Sequence, residues 1–226
     1  MKLIVFDCDG TLVDSQHMIV AAMERAFSLR DLPPPPRGEI LSVVGLSLSL
    51  AVERLVPHLD QANVDRLAED YKAAFGELRR DPLSREPLYP GVKNLLLELS
   101  ARDDVVLGIA TGKSRRGVAA ILVREDLSHL FQTIQTADTH PSKPDPSMLH
   151  TAMQETGSTP ADTLMIGDTT FDMDMAAAAG VRAIGVGWGY HPVEALTQSG
   201  AHAIAHDAAM LTSGIRAFTD TNGETA

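Results

Sequence analysis

The sequence predicts an α/β protein: a doubly wound parallel sheet, Rossmann-like, with an all-helical module inserted early. Three observations predict it. An apolar strand, Leu3-Ile4-Val5-Phe6, runs straight into Asp7-Cys8-Asp9-Gly10. From Tyr89-Pro90-Gly91 onward, apolar strands alternate with helical patterns, which demands crossover connections and parallel pairing. Between the two lie about seventy residues of helical spacing without a strand signal, which reads as an insertion.

Taken in order, Ile19, Val20, Met23 and Phe27 follow the first strand at helical spacing, with Asp14 or Ser15 as the N-cap. Pro33-Pro34-Pro35-Pro36 cannot be helix and reads as a stiff connector. Helical spacing resumes from Glu39 to Arg80, through Leu41, Val44 and Leu48, then Val52, Leu55 and Val56, then Val64, Leu67, Tyr71 and Phe75. Arg79, Arg80 and Arg85 close this stretch and read as solvated helix-end charges. Strands are then expected over 105–110, 133–135, 164–166 and 183–186, and helices over 116–123 and 146–155 and before Gly180. The polar tail after Ala217 is expected to fray. The predicted organisation is a sheet domain of residues 1–15 and 88–226 and a helical module of residues 16–87.

Composition excludes several classes of function. A net charge of −11 argues against a sequence-independent grip on nucleic acid or on an anionic membrane, both of which need a basic face. Cys8 is the only cysteine, so no internal disulfide forms, and a soluble protein of the reducing cytoplasm is expected. No stretch approaches the roughly 18 apolar residues of a membrane span. The sequence carries no signal of oligomeric state.

Asp7 and Asp9 leave the end of a buried strand at i and i+2 and project to the same side, where open α/β sheets place their ligands. Like charges held so close call for a metal ion, an acid/base role, or both. Three further clusters follow strands or open helices. Thr111-Gly112 offers a hydroxyl and free backbone N–H groups between strand and helix, suited to a phosphate. Lys143 stands just before a helix start, and Asp168 and Asp172 lie at a strand end and on the following helical turn. Each alone has a plain structural reading: a helix cap for Thr111, a surface lysine for Lys143, a cap and a dipole-favoured acid for Asp168 and Asp172. Together, on one parallel sheet, they converge at one edge.

These residue types belong together in phosphoryl transfer. A phosphate dianion approaches clustered carboxylates only when Mg²⁺ neutralises them, and Asp7, Asp9, Asp168 and Asp172 are the candidate acidic ligands. Asp7 is the candidate nucleophile, giving an aspartyl phosphate, and Asp9 the acid for the leaving alkoxide and base for the attacking water. Thr111 and the Gly112 N–H would hold phosphate oxygens, and Lys143 would offset charge on the nucleophile and the phosphoryl group. Cys8, between the acids, reads as core packing, and Trp188 as a core or hinge anchor.

Asp7-Cys8-Asp9-Gly10-Thr11, Thr111-Gly112, Lys143-Pro144 and Gly167-Asp168 with Asp172 resemble, in order and across the chain, the motifs of the haloacid dehalogenase superfamily. The resemblance implies that the insertion is a helical cap and that the substrate is a small phosphorylated metabolite. Gly187-Trp188-Gly189-Tyr190 and Gly200-Ala201-His202 look most like the phosphoglycolate phosphatase group, although His191 stands where that group is expected to carry a small residue. Asp9 argues against a dehalogenase or a phosphonatase, neither of which needs the second acid. A phosphosugar mutase would use the same two aspartates. A receiver-type signalling switch also combines a phosphorylated Asp with acids, Thr and Lys, but there the acid pair precedes the phosphorylated strand and no helical module interrupts the sheet.

Overall fold

A computed structural model describes residues 1–80 and 86–220. Six strands form one sheet: β1 (Lys2–Phe6), β2 (Val105–Thr111), β3 (Phe131–Thr136), β4 (Thr163–Gly167), β5 (Arg182–Val186) and β6 (Ala203–Ala205). Their order is β3-β2-β1-β4-β5-β6, and every pairing is parallel. The chain builds outward from β1 in one direction and then, from β4, in the other. The switch point lies at the C-terminal end of β1, where such sheets bind ligands.

Both faces are covered by helices, so the central strands are apolar throughout instead of alternating. From β1, Ile4 and Phe6 face one core cluster, which takes in Leu95, Leu96 and Leu99 of α5 (Val92–Ser100), Ile121 of α6 (Arg115–Glu125) and Ile215 of α10 (Ala208–Asp220). Leu3 and Val5 face the other, with Met148 and Leu149 of α7 (Ser147–Thr156), Met173 of α8 (Thr170–Ala178) and Leu196 of α9 (Val193–Gln198). Cys8 is buried in the first cluster, as strand alternation predicts.

The insertion carries α1 (Gln16–Ser28), α2 (Arg37–Ser42), α3 (Leu48–Leu55) and α4 (Gln61–Leu78), packed around a separate apolar cluster that includes Met23, Phe27, Ile40, Val52, Leu67 and Phe75. The fold is a parallel α/β core with an all-helical cap. The two chain crossings run side by side: the Asp14 N–H donates to Pro87 O at 2.8 Å and the Tyr89 N–H to Leu12 O at 3.0 Å. Cap and core meet again where the Ser47 N–H donates to Ser142 Oγ at 2.8 Å and His191 Nε2 lies 3.1 Å from Ser42 O.

Several elements exceed the sequence reading. Helices α5, α9 and α10 and strand β6 add to the expected elements, and β3 begins at Phe131, two residues before the expected strand. Ser15 occupies the N-cap position of α1 without capping it through its side chain. The chain does not fray directly after Ala217: α10 continues to Asp220 with Phe218 and Thr219 buried, while Arg85 and the tail beyond Asp220 lie outside the described residues. Among the described residues, no helix is long and apolar enough to cross a membrane.

Candidate active site

Sheet register brings the motifs together. Phe6 pairs with Ile109 of β2 and with Ile166 of β4, so the residues that follow these positions emerge side by side. Asp7, Thr111 and Asp168 therefore share one edge. Asp7 is 1% exposed and its N–H donates to Ile166 O at 2.9 Å, which fixes its backbone to the neighbouring strand.

Lys143 joins the cluster from the segment preceding α7. Its side chain is wholly buried, with Nζ 2.8 Å from Asp7 Oδ1 and 2.5 Å from Asp172 Oδ1. Burial pulls the ammonium pKa down, but Asp172 and Asp7 outweigh it and hold Lys143 above the ordinary lysine range. Asp172 sits on the first turn of α8 in a reciprocal capping box: Oδ2 accepts from the Thr169 N–H at 3.0 Å and from Thr169 Oγ1 at 2.7 Å. The N-cap is thus Thr169, not Asp168, which leaves Asp168 for the site. Asp168 Oδ1 accepts from Thr11 Oγ1 and Oδ2 from the Tyr190 N–H, both at 2.9 Å.

Asp7, Asp168 and Asp172 each offer a carboxylate oxygen, and these oxygens lie within 4.8 Å of one another. Burial first, with Lys143 opposing and Asp172 adding repulsion, pushes the Asp7 pKa up to about 6. Asp168 is raised well above the usual carboxylate range by burial, then by Asp7 and Asp172. Asp7 Oδ2 is buried without a hydrogen-bond partner. A buried, unpaired carboxylate oxygen beside two more acids is costly unless a cation neutralises it, so a hard divalent cation such as Mg²⁺ fits this donor set.

Asp9 lies apart from that group. Its Oδ1 accepts from Ser15 Oγ at 2.5 Å and from Lys113 Nζ at 2.7 Å. The hydroxyl of Ser15 is committed to Asp9, which explains why it does not cap α1. Thr111 is the last residue of β2, and its Oγ1 accepts from the Lys113 N–H at 3.2 Å. The cap of α6 is Ser114, whose side chain accepts from the Gly117 N–H, so the plain reading of Thr111 as a helix cap does not hold. At Gly112 a Cβ would come within 2.5 Å of Leu46 O and 2.6 Å of Gly45 O, so a cap loop lies directly on this residue.

Asp7, Asp9, Thr111 and Gly112 line a cavity of about 560 Å³ whose far wall is cap: Met23, Ile40, Val44 and Phe75 contribute to it. Sequence reasoning missed three further residues here. Lys113 and Glu86 form an ion pair at 2.7 Å, with side chains 8% and 1% exposed, and Arg79 Nη2 lies 3.0 Å from Glu86. The reading of Arg79 as a solvated charge is corrected: a buried partner holds it. Trp188 acts as an anchor, its Nε1–H donating to Thr11 O at 3.2 Å while its ring packs on Tyr89.

Known proteins share this architecture. A sequence profile of the haloacid dehalogenase-like hydrolases matches residues 4–186. The chain is 35% identical over 204 residues to a phosphoglycolate phosphatase of Pseudomonas putida KT2440, covering 88% of this chain and 75% of that protein. It is 37% identical over 199 residues to "Probable phosphatase IndB" of Dickeya dadantii 3937, covering 86% and 84% of the two. A solved hydrolase from Pseudomonas syringae superposes with a TM-score of 0.85 at 25% identity, over 96% of this chain and 99% of that one. The chain belongs to the haloacid dehalogenase-like hydrolase family.

Proposed function

We propose that the protein is a Mg²⁺-dependent phosphatase that hydrolyses a small, phosphoglycolate-like phosphomonoester through an aspartyl phosphate on Asp7. The observation that carries this reading is Asp7 itself: one oxygen is held by Lys143, the other is buried and unpaired, and two further carboxylates lie beside it. In the reading, Asp7, Asp168 and Asp172 hold the cation. Bound there, Mg²⁺ would supply the positive charge that lets a phosphate dianion approach carboxylates.

The chain's own residues do the rest. An Asp7 oxygen attacks phosphorus as the ester oxygen leaves, and Asp9 gives that oxygen its proton. Water then attacks the aspartyl phosphate, Asp9 takes the water's proton, and the bond to Asp7 breaks. The Thr111 hydroxyl and the Gly112 N–H hold phosphoryl oxygens, and Lys143 balances charge on Asp7 and the transferring group. Residues 16–87 act as a lid, turning about the paired crossings at 12–14 and 87–89, and carry the walls that meet the leaving group.

The test is phosphate release with Mg²⁺ from a panel of small phosphomonoesters that includes 2-phosphoglycolate and hexose phosphates, followed by mass spectrometry of the acid-trapped enzyme. Free phosphate and a phosphoryl group on Asp7 are expected. Return of the phosphoryl group to a sugar would make the protein a mutase, and label on Ser, Thr or His would end the aspartyl-phosphate reading.

A further inference from the structure

Asp9 begins a chain of charges whose other members have no part in the reaction as proposed. Asp9 Oδ1, Lys113 Nζ, the Glu86 carboxylate and the Arg79 guanidinium alternate in sign, with 2.7 Å from Asp9 to Lys113, 2.7 Å from Lys113 to Glu86 and 3.0 Å from Glu86 to Arg79. They come from four places: the exit of β1, the β2–α6 loop, the returning crossing and the end of α4. Phe75 covers the chain, its ring centroid 5.0 Å from both Lys113 Nζ and Arg79 Cζ.

Among the described residues, the two side-chain hydrogen bonds to Asp9, from Ser15 and from Lys113, both fall on Oδ1. The residue lines the cavity, and among the described residues no hydrogen bond falls on Oδ2. Lys113 is itself fixed, because Glu86 Oε1 takes the same ammonium while Glu86 Oε2 is occupied by Arg79. The Glu86 backbone is also anchored, its carbonyl accepting from Arg124 Nη2. A mobile lysine would have no reason for two buried carboxylate partners. A lysine placed to orient one of them does.

We propose that Lys113, held by Glu86, is a positioning residue for Asp9: it fixes Oδ1 so that Oδ2 presents the proton to the leaving oxygen. As the ester P–O bond breaks, the proton passes from Oδ2 to the departing oxygen, and the charge left on the Asp9 carboxylate is stabilised at Oδ1 by the Lys113 ammonium. The inference rests on the phosphatase reading and adds a residue to it. Its distinctive consequence is a dependence on the leaving group: an aryl oxide departs without help, whereas an alkoxide needs the proton.

The test compares kcat/KM, which reports the step that expels the leaving group, for 2-phosphoglycolate and p-nitrophenyl phosphate in Lys113→Met, Lys113→Arg and the paired Lys113→Met/Glu86→Gln variant. The paired variant removes both buried charges and covers the case in which Lys113→Met alone fails to fold. Removing the ammonium should lower the alkyl ester about tenfold or more while the aryl ester stays within about threefold, and Lys113→Arg should recover part of the loss. Equal losses on both esters, a change confined to KM, or no loss would overturn the proposal. Absence of phosphate release from either ester by the unaltered enzyme would instead remove the phosphatase reading, and this inference with it.

Discussion

Lys143 Nζ and Asp7 Oδ1 are 2.8 Å apart, in a pocket where neither side chain is more than 1% exposed. A buried ammonium shared with Asp172 faces three carboxylates, Asp7, Asp168 and Asp172, so the site holds more negative charge than its own lysine cancels. Such an arrangement is unfavourable in the protein alone and favourable once a cation or a developing positive centre enters.

The first prediction concerns Asp7→Asn. The amide is nearly isosteric and keeps an acceptor for Lys143, but it is not a competent nucleophile. Phosphate release and the trapped phosphoenzyme should both vanish while the circular-dichroism spectrum is unchanged. Residual turnover above about 1% of the parent rate would place the nucleophile elsewhere.

The same residue sets a pH dependence. An Asp7 pKa pushed from 3.8 to about 6 means that, between those values, the folded state binds more protons than the unfolded one. Its contribution to stability therefore falls as pH rises through that window and stays low above it. Asp168 shifts in the same direction. In chelator-treated protein, the Tm of Asp7→Asn relative to the parent should rise between pH 4.5 and pH 7.5, by several degrees, about 2 to 6 °C. Mg²⁺ should raise the parent's Tm more at pH 7.5 than at pH 5, because protons compete with the cation for the same oxygens. Equal Mg²⁺ shifts at the two pH values would show that the acids do not hold the ion.

Much of this site was legible because its motifs are local. Asp7-Cys8-Asp9, Thr111-Gly112 and Gly167-Asp168 each follow a strand that buried, unbroken apolar residues announce, and parallel register places their ends together. The missed pieces have physical reasons. Strand β6 is three residues at a sheet edge, two of them alanine, too short and too weakly apolar for periodicity to register. Lys113 pairs with Glu86 across 27 residues, so only the fold brings Glu86 and the Arg79 it holds against Lys113. Lys113 does carry a signal in hindsight: it follows Thr111-Gly112 directly, at the cavity edge.

Asp9→Asn separates proton transfer from metal binding. Asp9 stands outside the group of three acids, bonded to Ser15 and Lys113. The variant should lose about 10²-fold or more in kcat/KM for 2-phosphoglycolate and much less for p-nitrophenyl phosphate, with the half-saturating Mg²⁺ concentration little changed. A large rise in the Mg²⁺ requirement with equal losses on both esters would instead make Asp9 a metal ligand.

The last prediction concerns the loop from Val43 to Ser47, which lines the cavity between α2 and α3. Gly45 adopts φ +100°, a conformation that side chains resist, and a Cβ there would stand 3.1 Å from Thr169 Oγ1. Thr169 in turn holds Asp172, so the loop presses on the support of the acidic cluster as well as on Gly112. Gly45→Ala should therefore disfavour the seated loop by about 1 to 3 kcal/mol. If seating is what closes the cap over the leaving group, the penalty falls on turnover of 2-phosphoglycolate, whose leaving group must meet the loop, more than on acetyl phosphate. Leu46→Ala, which keeps the backbone free of that strain and removes only a buried side chain of the loop, should shift KM between the two substrates in the same direction. Parallel responses of both substrates in both variants would show that the loop supports the site without choosing the substrate, and the leaving group would then be read by Met23, Ile40 and Phe75 elsewhere on the cap wall.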